Sequence, residues 1–354
     1  MSALNKTIYI GQREISEQAK PFVIAELSGN HNQSFELAKQ MIKAAADAGV
    51  DAIKLQTYTA DSMTLNIDSD NFRIMEPDSL WYGRHLHELY QQACTPYEWH
   101  KALFEYANEL GLIAFSSPFD EGAVDFLESL NVPCYKIASF ELTDLPLIKK
   151  AASTGKPLIM STGMATEAEI IEAINTAKSA GCQDIIILKC TSTYPASAGN
   201  TNLITIQDMQ QKFNCLVGLS DHTTGIGVAV ASVALGACVI EKHFVLDRTA
   251  GGVDAEFSLE PNEFKALCDN AAMAHKALGK VTYGGSAAEE KSKYYRRSIF
   301  VCCDLKAGEK LTTDNIKIVR PAIGLAPKHW DRVLGKIAKQ DIKAGSALTD
   351  DLLV

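Results

Sequence analysis

Two histidines stand at equivalent places in this sequence, one in Ser220-Asp221-His222-Thr223 and one in Glu241-Lys242-His243-Phe244. Neutral imidazoles bind divalent cations, and two of them leave coordination positions open for a reacting group. A closed structural zinc site takes about four protein ligands, so this pair does not make one. Three lysines add a second chemistry: Lys54 in Ile-Lys-Leu-Gln, Lys136 in Tyr-Lys-Ile-Ala-Ser and Lys189 in Leu-Lys-Cys. Each interrupts an apolar run, where an ammonium is costly unless an anion or a carboxylate pairs with it. Hydroxyls gather at the same points: Ser116 and Ser117, Ser139, Ser161 and Thr162, Thr191 to Thr193, and Ser220. Cations beside hydroxyl and backbone donors suit a small phosphorylated acid. Glu26 and Glu141 are the candidate acid/base groups. Each set also has a plain structural reading: histidines hydrogen-bonded near a core, lysines paired with Glu141 or Asp221, glutamates that cap a helix or meet a lysine. A desolvated lysine could also be a Schiff-base nucleophile, but that class needs no metal, and the histidine pair argues against it.

Placing these residues together requires a particular scaffold. His222 follows the apolar run Cys215-Leu-Val-Gly-Leu219, His243 follows Ala237-Cys-Val-Ile240, and a glycine-rich helical stretch, Gly225 to Gly236, joins them. Strand, helix, strand, with a histidine at each strand's carboxyl end, is the unit of a parallel α/β barrel, whose active sites lie at those ends. Eight such strands are predicted: Phe22–Leu27, Ala52–Gln56, Leu112–Ser116, Cys134–Ser139, Pro157–Ser161, Asp184–Cys190, Leu216–Ser220 and Cys238–His243. Each precedes a helical pattern, so the expected fold is an α/β (β/α)₈ TIM barrel, with an open doubly wound sheet as the alternative. Closure of the barrel would pair the last strand with the first and bring Glu26 beside His243 and His222. The three lysines sit on the second, fourth and sixth strands, and alternate strands contribute to the same interior layers. One connection is oversized, Thr57 to about Thr95, with Trp81-Tyr82-Gly83 and a helical Leu86, Leu89, Tyr90, Ala93. Long loops at this end of a barrel usually cover substrate, and a substrate cover is the expectation here, with an inert surface helix docked through its leucines as the alternative.

Beyond the last barrel helix, Asn262–Leu278, the pattern breaks. Residues 1–283 read as the barrel, 284–297 as a linker and 298–354 as a small separate domain. In that domain Asp304-Leu-Lys-Ala-Gly-Glu-Lys-Leu-Thr-Thr-Asp314 is echoed by Asp341-Ile-Lys-Ala-Gly-Ser-Ala-Leu-Thr-Asp-Asp351. Two copies are too few for a solenoid and suit a pseudo-symmetric β module.

Composition narrows the classes. A formal charge of −9, with no long basic run, argues against a nucleic-acid partner. Met1 to Lys20 holds no apolar core of signal-peptide length and no apolar run is long enough to span a bilayer, so no membrane partner is expected. The nine cysteines are scattered without a CxxC pair, as in a reduced cytoplasmic enzyme.

Taken in order, these motifs resemble the sialic acid synthase family, which condenses phosphoenolpyruvate with N-acetylated sugars to make nonulosonic acids. The resemblance rests on Ala25-Glu26 with Asn30-His31, Ile53-Lys54-Leu55-Gln56, Ser117-Pro118-Phe119, and Tyr135-Lys136-Ile137-Ala138-Ser139 with Glu141. It continues through Ser161-Thr162-Gly163-Met164, Tyr194-Pro195, Gly218 to Thr223, Glu241 to Phe244, Asp254 and Phe257 to Pro261. The tail resembles the antifreeze-like (SAF, β-clip) domain of that family, with Arg320-Pro321 and Leu334-Gly335-Lys336; Ala322 departs from the usual glycine. The stretch Leu80 to Trp99 and Cys190 to Pro195 are similar to the branch that makes pseudaminic acid, although Cys94 replaces a bulkier residue.

The resemblance implies roles. His222 and His243 would ligate Mn²⁺, Mg²⁺ or Co²⁺. Lys54, Ser117, Lys136, Ser139, Ser161 and Ser220 would cradle phosphoenolpyruvate. Glu26 and Asp254 would position the sugar or a water, Tyr194 would line the sugar site, and Glu141 would lie near the carbon that becomes the hemiketal centre. Arg320 would reach the sugar from a partner subunit, which implies a domain-exchanged homodimer. The second substrate would be an N-acetylated deoxy sugar, 2,4-diacetamido-2,4,6-trideoxy-L-altrose, and the product would serve surface glycans such as decorated flagellin. A manno-configured sugar, giving N-acetylneuraminate or legionaminate, is the nearest alternative. A non-catalytic carbohydrate-binding barrel is a more distant one.

Overall fold

The computed structural model describes residues 6–354. Eight parallel strands form a closed barrel: β3 (Phe22–Glu26), β4 (Ala52–Thr57), β5 (Ile113–Pro118), β6 (Tyr135–Ile137), β7 (Leu158–Ser161), β8 (Ile185–Cys190), β9 (Leu216–Asp221) and β10 (Val239–His243). These coincide with the eight expected strands, the ends differing by one to a few residues. Strands of a parallel barrel are covered on both faces, so they are apolar almost throughout; Ile185, Ile186, Ile187 and Leu188 are all fully buried. Closure is made by β10 on β3, in a register that sets His243 opposite Glu26. A preceding hairpin, β1 (Ile8–Ile10) with β2 (Arg13–Ile15), adds Ile8, Ile10 and Ile15 to the barrel core.

The helices start where capping chemistry tells them to. Ser34 Oγ accepts from the Leu37 N–H at the start of helix Phe35–Ala48. Thr166 and Glu169 form a reciprocal capping box on helix Glu167–Ser179. The last barrel helix, Pro261–Leu278, begins with proline at its first position, where a missing N–H costs nothing.

The connection after β4 is the oversized one. It holds a short helix, Ala60–Met63, and a longer one, Leu86–Ala93, and it returns to the barrel as helix Tyr97–Glu109. Both of its roots are pinned by buried histidines. Thr57 Oγ1 is 2.8 Å from His100 Nε2, and Thr95 Oγ1 is 3.1 Å from His31 Nε2. Burial lowers both imidazoles to about 4, so these anchors are neutral. The returning end packs so closely that a Cβ on Gly29 would stand 2.9 Å from Ala93 Cβ.

The chain divides into two compact units, the first ending at Gly279 and the second running from Lys280 to Val354. In the second, β11 (Ser298–Val301) pairs antiparallel with β12 (Ile316–Val319) over a core that includes Ile299, Leu311, Ile316, Val333 and Leu348. Residues 290–295, expected in a linker, form a 3₁₀ turn in this unit. The two repeats grip each other reciprocally. Leu305 and Ile342 exchange backbone hydrogen bonds of 2.8 and 2.9 Å. Lys306 meets Asp341 at 2.8 Å, and Lys343 meets Asp304 at 2.6 Å. Each aspartate also accepts a backbone N–H of the other copy, from Ala307 and Ala344.

Candidate active site

The carboxyl ends of the barrel strands open into a cavity of about 720 Å³. Its lining includes Glu26, Lys54, Lys136, Ser139, Glu141, Ser161, Tyr194, Ser220, His222, His243 and Asp254, and the cover contributes Met63, Ile74, Trp81, Leu86, Leu89 and Tyr90. Strand geometry explains who faces inward. Side chains alternate along a strand, so Ser220 and His222 share one face at the end of β9, and Glu241 and His243 share one face of β10.

At the floor four buried charges neutralise one another. Lys54 is in contact with Glu26 and lies 3.9 Å from Glu241, while Lys136 meets Glu241 at 2.7 Å. Hydroxyls complete the group: Lys54 Nζ donates to Ser117 Oγ at 3.1 Å and Ser220 Oγ donates to Glu241 at 3.2 Å. Burial would raise Glu241, but Lys136 and Lys54 hold it down at about 2. Burial pushes Glu26 upward against the pull of Lys54. Burial also lowers Lys136, with Glu241 opposing.

Not every polar atom is spoken for. Ser161 Oγ and Glu141 Oε2 are buried with no hydrogen-bond partner among the described residues. Burial raises Glu141 to about 7. The turn carrying Ser161 is tight: Gly163 has φ +47°, and a Cβ there would stand 2.5 Å from Ser139 Cβ. Ser139 Oγ in turn bonds Ser192 Oγ at 2.8 Å.

The histidine rings lie 5.3 Å apart between centroids, with Phe257 and Tyr194 packed around them. His222 Nδ1 donates to the Thr191 carbonyl at 2.9 Å, which leaves Nε2 as the nitrogen free to ligate. Asp254 Oδ2 is 3.8 Å from His243 Nδ1.

Comparison with known proteins now bears on this geometry. Residues 41–283 match the NeuB family and residues 296–354 match the SAF domain. The chain belongs to the NeuB family. It is 47% identical over 329 residues to the pseudaminic acid synthase of Campylobacter jejuni, covering 93% of this chain and 95% of that protein. Against the pseudaminic acid synthase of Helicobacter pylori the identity is 44% over 332 residues, covering 94% and 97%. Among solved structures, an N-acetylneuraminic acid (sialic acid) synthetase from Leptospira borgpetersenii superposes with a TM-score of 0.73 at 31% identity, covering 82% of this chain and 96% of that one.

Does this NeuB-family site fit a divalent cation? No cluster of three or more histidine, cysteine or acidic ligands occurs among the described residues. Two imidazoles with a carboxylate close by nevertheless suit an open site. His243 is held well below its ordinary value by burial and the cations around it, so its lone pair is available. Burial also opposes charge on His222, but the Cys190 thiol beside it tips the balance upward, and a bound cation would displace that proton.

Two residues differ from expectation. Lys189 does not join the other lysines. Cys190 faces the cavity, so Lys189 is one step out of phase and its ammonium bonds the Cys190 carbonyl at 2.7 Å and Thr191 Oγ1 at 3.2 Å. Glu241 was not among the expected site residues, yet it joins both lysines to Ser220. Its position two residues before His243 was the signal, because that spacing returns a strand to the same face. The plain structural reading of lysines in buried ion pairs is realised, but not with Glu141 or Asp221: Lys54 and Lys136 take Glu26 and Glu241, and Asp221 takes Lys242. Arg320 lies in the C-terminal unit, exposed and without an ion pair among the described residues.

Proposed function

We propose that this chain condenses phosphoenolpyruvate with 2,4-diacetamido-2,4,6-trideoxy-L-altrose and water, releasing pseudaminic acid and inorganic phosphate. The observation that carries this reading is the buried Lys54–Lys136 cradle beside the histidine pair, in a chain whose similarity to pseudaminic acid synthases extends over nearly its whole length. The enol carbon forms a bond to the sugar's aldehyde carbon, and the carbon bearing the phosphate becomes electron-poor. Water adds to that carbon and gives up a proton, balancing the one the former aldehyde oxygen takes up; the new hydroxyl then loses its proton to the departing phosphate as the C–O bond breaks and a carbonyl forms.

In this reading Lys54 and Lys136, with Ser117, Ser139, Ser161 and Ser220, hold the phosphate and carboxylate and stabilise the leaving group. The unpartnered Ser161 hydroxyl supports this, since a buried donor wants an acceptor. Glu141 takes the proton from water; a carboxyl near 7 is populated in both forms at neutral pH. Glu26, Tyr194 and Asp254 orient the sugar. His222 and His243 hold a divalent cation, Mn²⁺, Mg²⁺ or Co²⁺, which when bound acts as a Lewis acid toward the aldehyde.

Residues 1–283 are the catalytic domain, 284–297 the linker and 298–354 the domain that completes the site. In a domain-exchanged homodimer Arg320 reaches the sugar in the partner's barrel. Support comes from exposed apolar residues on the loops at the cavity end of the barrel, Tyr82, Phe140, Met164 and Ile204, and from the unpaired Arg320. Nine unpaired cysteines suit a cytoplasmic location, and the product would feed surface glycans such as those of flagellin.

The test is phosphate release from phosphoenolpyruvate by purified protein with Mn²⁺, offering the altrose sugar, N-acetylmannosamine and the 2,4-diacetamido-trideoxy-mannose in parallel. Chelator-sensitive release with the altrose sugar alone is expected. A preference for either manno sugar would reassign the substrate and keep the chemistry.

A further inference from the structure

The peptide unit joining Val253 to Asp254 is held at both ends by side chains from different parts of the barrel unit. Its carbonyl accepts from Trp81 Nε1 at 3.1 Å, and its N–H donates to Asn30 Oδ1 at 3.1 Å. Asn30 is itself immobilised, because its amide nitrogen donates to the Phe244 carbonyl and to Ser258 Oγ, both at 2.9 Å. Ser258 Oγ closes the circuit on the Asp254 carbonyl at 2.6 Å. Both peptide groups flanking the Asp254 Cα are therefore fixed, which sets its Cα–Cβ bond, and the carboxylate so aimed meets Ser28 and the Gly29 N–H. That side chain lines the cavity and reaches within 3.8 Å of His243.

One of these restraints differs in kind from the others. Asn30 and Ser258 belong to the barrel and its last crossover, whereas Trp81 belongs to the cover. The Trp81 loop is tied at its base, where Ile74 N–H donates to the Arg84 carbonyl at 3.0 Å and Gly83 N–H to the Ile74 carbonyl at 2.7 Å. Its indole also lies 6.0 Å from the Tyr194 ring, between centroids.

We propose that Trp81 is a positioning residue: its indole N–H fixes the Val253–Asp254 peptide plane, so that seating of the cover and orientation of the Asp254 carboxylate are one event. Without that donor the peptide unit pivots on its remaining bond to Asn30, and Asp254 loses its aim. The cover then does more than exclude water. It completes the sugar-binding wall only when it is down, and a substrate that holds the cover closed also sets the carboxylate that meets it. This inference rests on the proposed synthase reaction and on Asp254 serving the sugar.

Trp81→Phe keeps an aromatic ring on the Tyr194 side and removes the donor together with part of the indole, so the coupling to Asp254, not the size of the single effect, is the readout. The experiment is a double-mutant cycle of Trp81→Phe and Asp254→Asn, following phosphate release with each substrate varied in turn. Loss of one hydrogen bond of ordinary strength predicts a fall of about 5- to 10-fold in kcat/KM for the sugar, with KM for phosphoenolpyruvate within about twofold of wild type. On the Asp254→Asn background, Trp81→Phe should cost less than about twofold more, because both changes act through one group. Independent, multiplying effects, or equal damage to both substrates, would overturn the proposal. An Asp254→Asn enzyme of full activity would also overturn it while leaving the synthase reading intact. Wild-type protein that releases no phosphate with any of the sugars would instead remove the synthase reading, and this inference with it.

Discussion

Four charged residues buried together at the barrel mouth, Lys54, Lys136, Glu26 and Glu241, are joined by ion pairs, although Glu26 and Glu241 each keep one oxygen without a hydrogen bond among the described residues. Glu141 is outside that arrangement. It faces the same cavity with one oxygen unpartnered, and burial leaves its carboxyl near 7 against an ordinary 4.5. A carboxyl raised in this way favours the folded state fully below pH 4.5, and that contribution is lost as pH rises through about 7. Glu141→Gln should therefore be more stable than wild type at pH 8, by about 2 kcal/mol once partial solvent access is allowed for, and no more stable at pH 4. Urea denaturation of the ligand-free proteins at the two pH values checks this. Turnover should move the opposite way, with kcat for Glu141→Gln falling about 100-fold or more as the proton acceptor is lost. Greater stability coupled to lost activity is the signature of a residue kept for chemistry. Unchanged stability at pH 8 would mean that Glu141 is better solvated than its surroundings indicate.

Strand alternation, at the next scale, decides which residues meet. On β9 and β10 the inward set is Ser220, His222, Glu241 and His243; the residues between them, Asp221 and Lys242, are buried on the other face and pair at 2.9 Å. Lys242 also donates to the Thr223 carbonyl, and Asp221 accepts the Thr223 N–H and hydroxyl at 2.9 and 2.8 Å. This clamp ties the carboxyl ends of the two histidine-bearing strands. Lys242→Met strands a buried carboxylate and should cost about 3–5 kcal/mol, whereas the double change with Asp221→Asn should cost clearly less than the two single changes summed. Chemical denaturation of the three variants reads the coupling directly. The same alternation marks what the sequence could reveal. Continuous apolar runs announced all eight strands, because a parallel barrel buries both faces of each. Facing was harder, since period two needs an anchor. With His243 as anchor, Glu241 follows; with no anchor on β8, Lys189 was grouped with lysines that point the other way. β6 is short because the chain turns after Ile137 into the Phe140–Thr143 turn that carries Glu141, a bend that hydrophobicity does not report.

At the scale of the whole molecule, the C-terminal unit is compact in its own right. Its internal symmetry makes a small, self-sufficient core, with the two repeats braced by reciprocal aspartate–lysine pairs, so it does not need the barrel in order to bury its apolar residues. Exposed ion pairs of this kind add little stability, and their value lies in fixing how one repeat meets the other. Arg320 stands at the end of β12, exposed, which suits a residue whose partner is a substrate. If Arg320 serves the partner's barrel, impaired subunits can repair each other when the sugar is held far below the raised KM of Arg320→Ala. Arg320→Ala has a sound barrel and no arginine to lend; His222→Ala has a spoiled barrel and an intact arginine. Co-refolded in equal amounts, half of the dimers are mixed, and each mixed dimer contains one site with both groups, so activity should recover to about a quarter of wild type. If Arg320 folds back onto its own barrel, neither site of a mixed dimer has both groups and nothing is recovered. The same Arg320→Ala subunit alone should show a raised KM for the sugar and a nearly unchanged KM for phosphoenolpyruvate, because the phosphate cradle is built wholly from barrel residues.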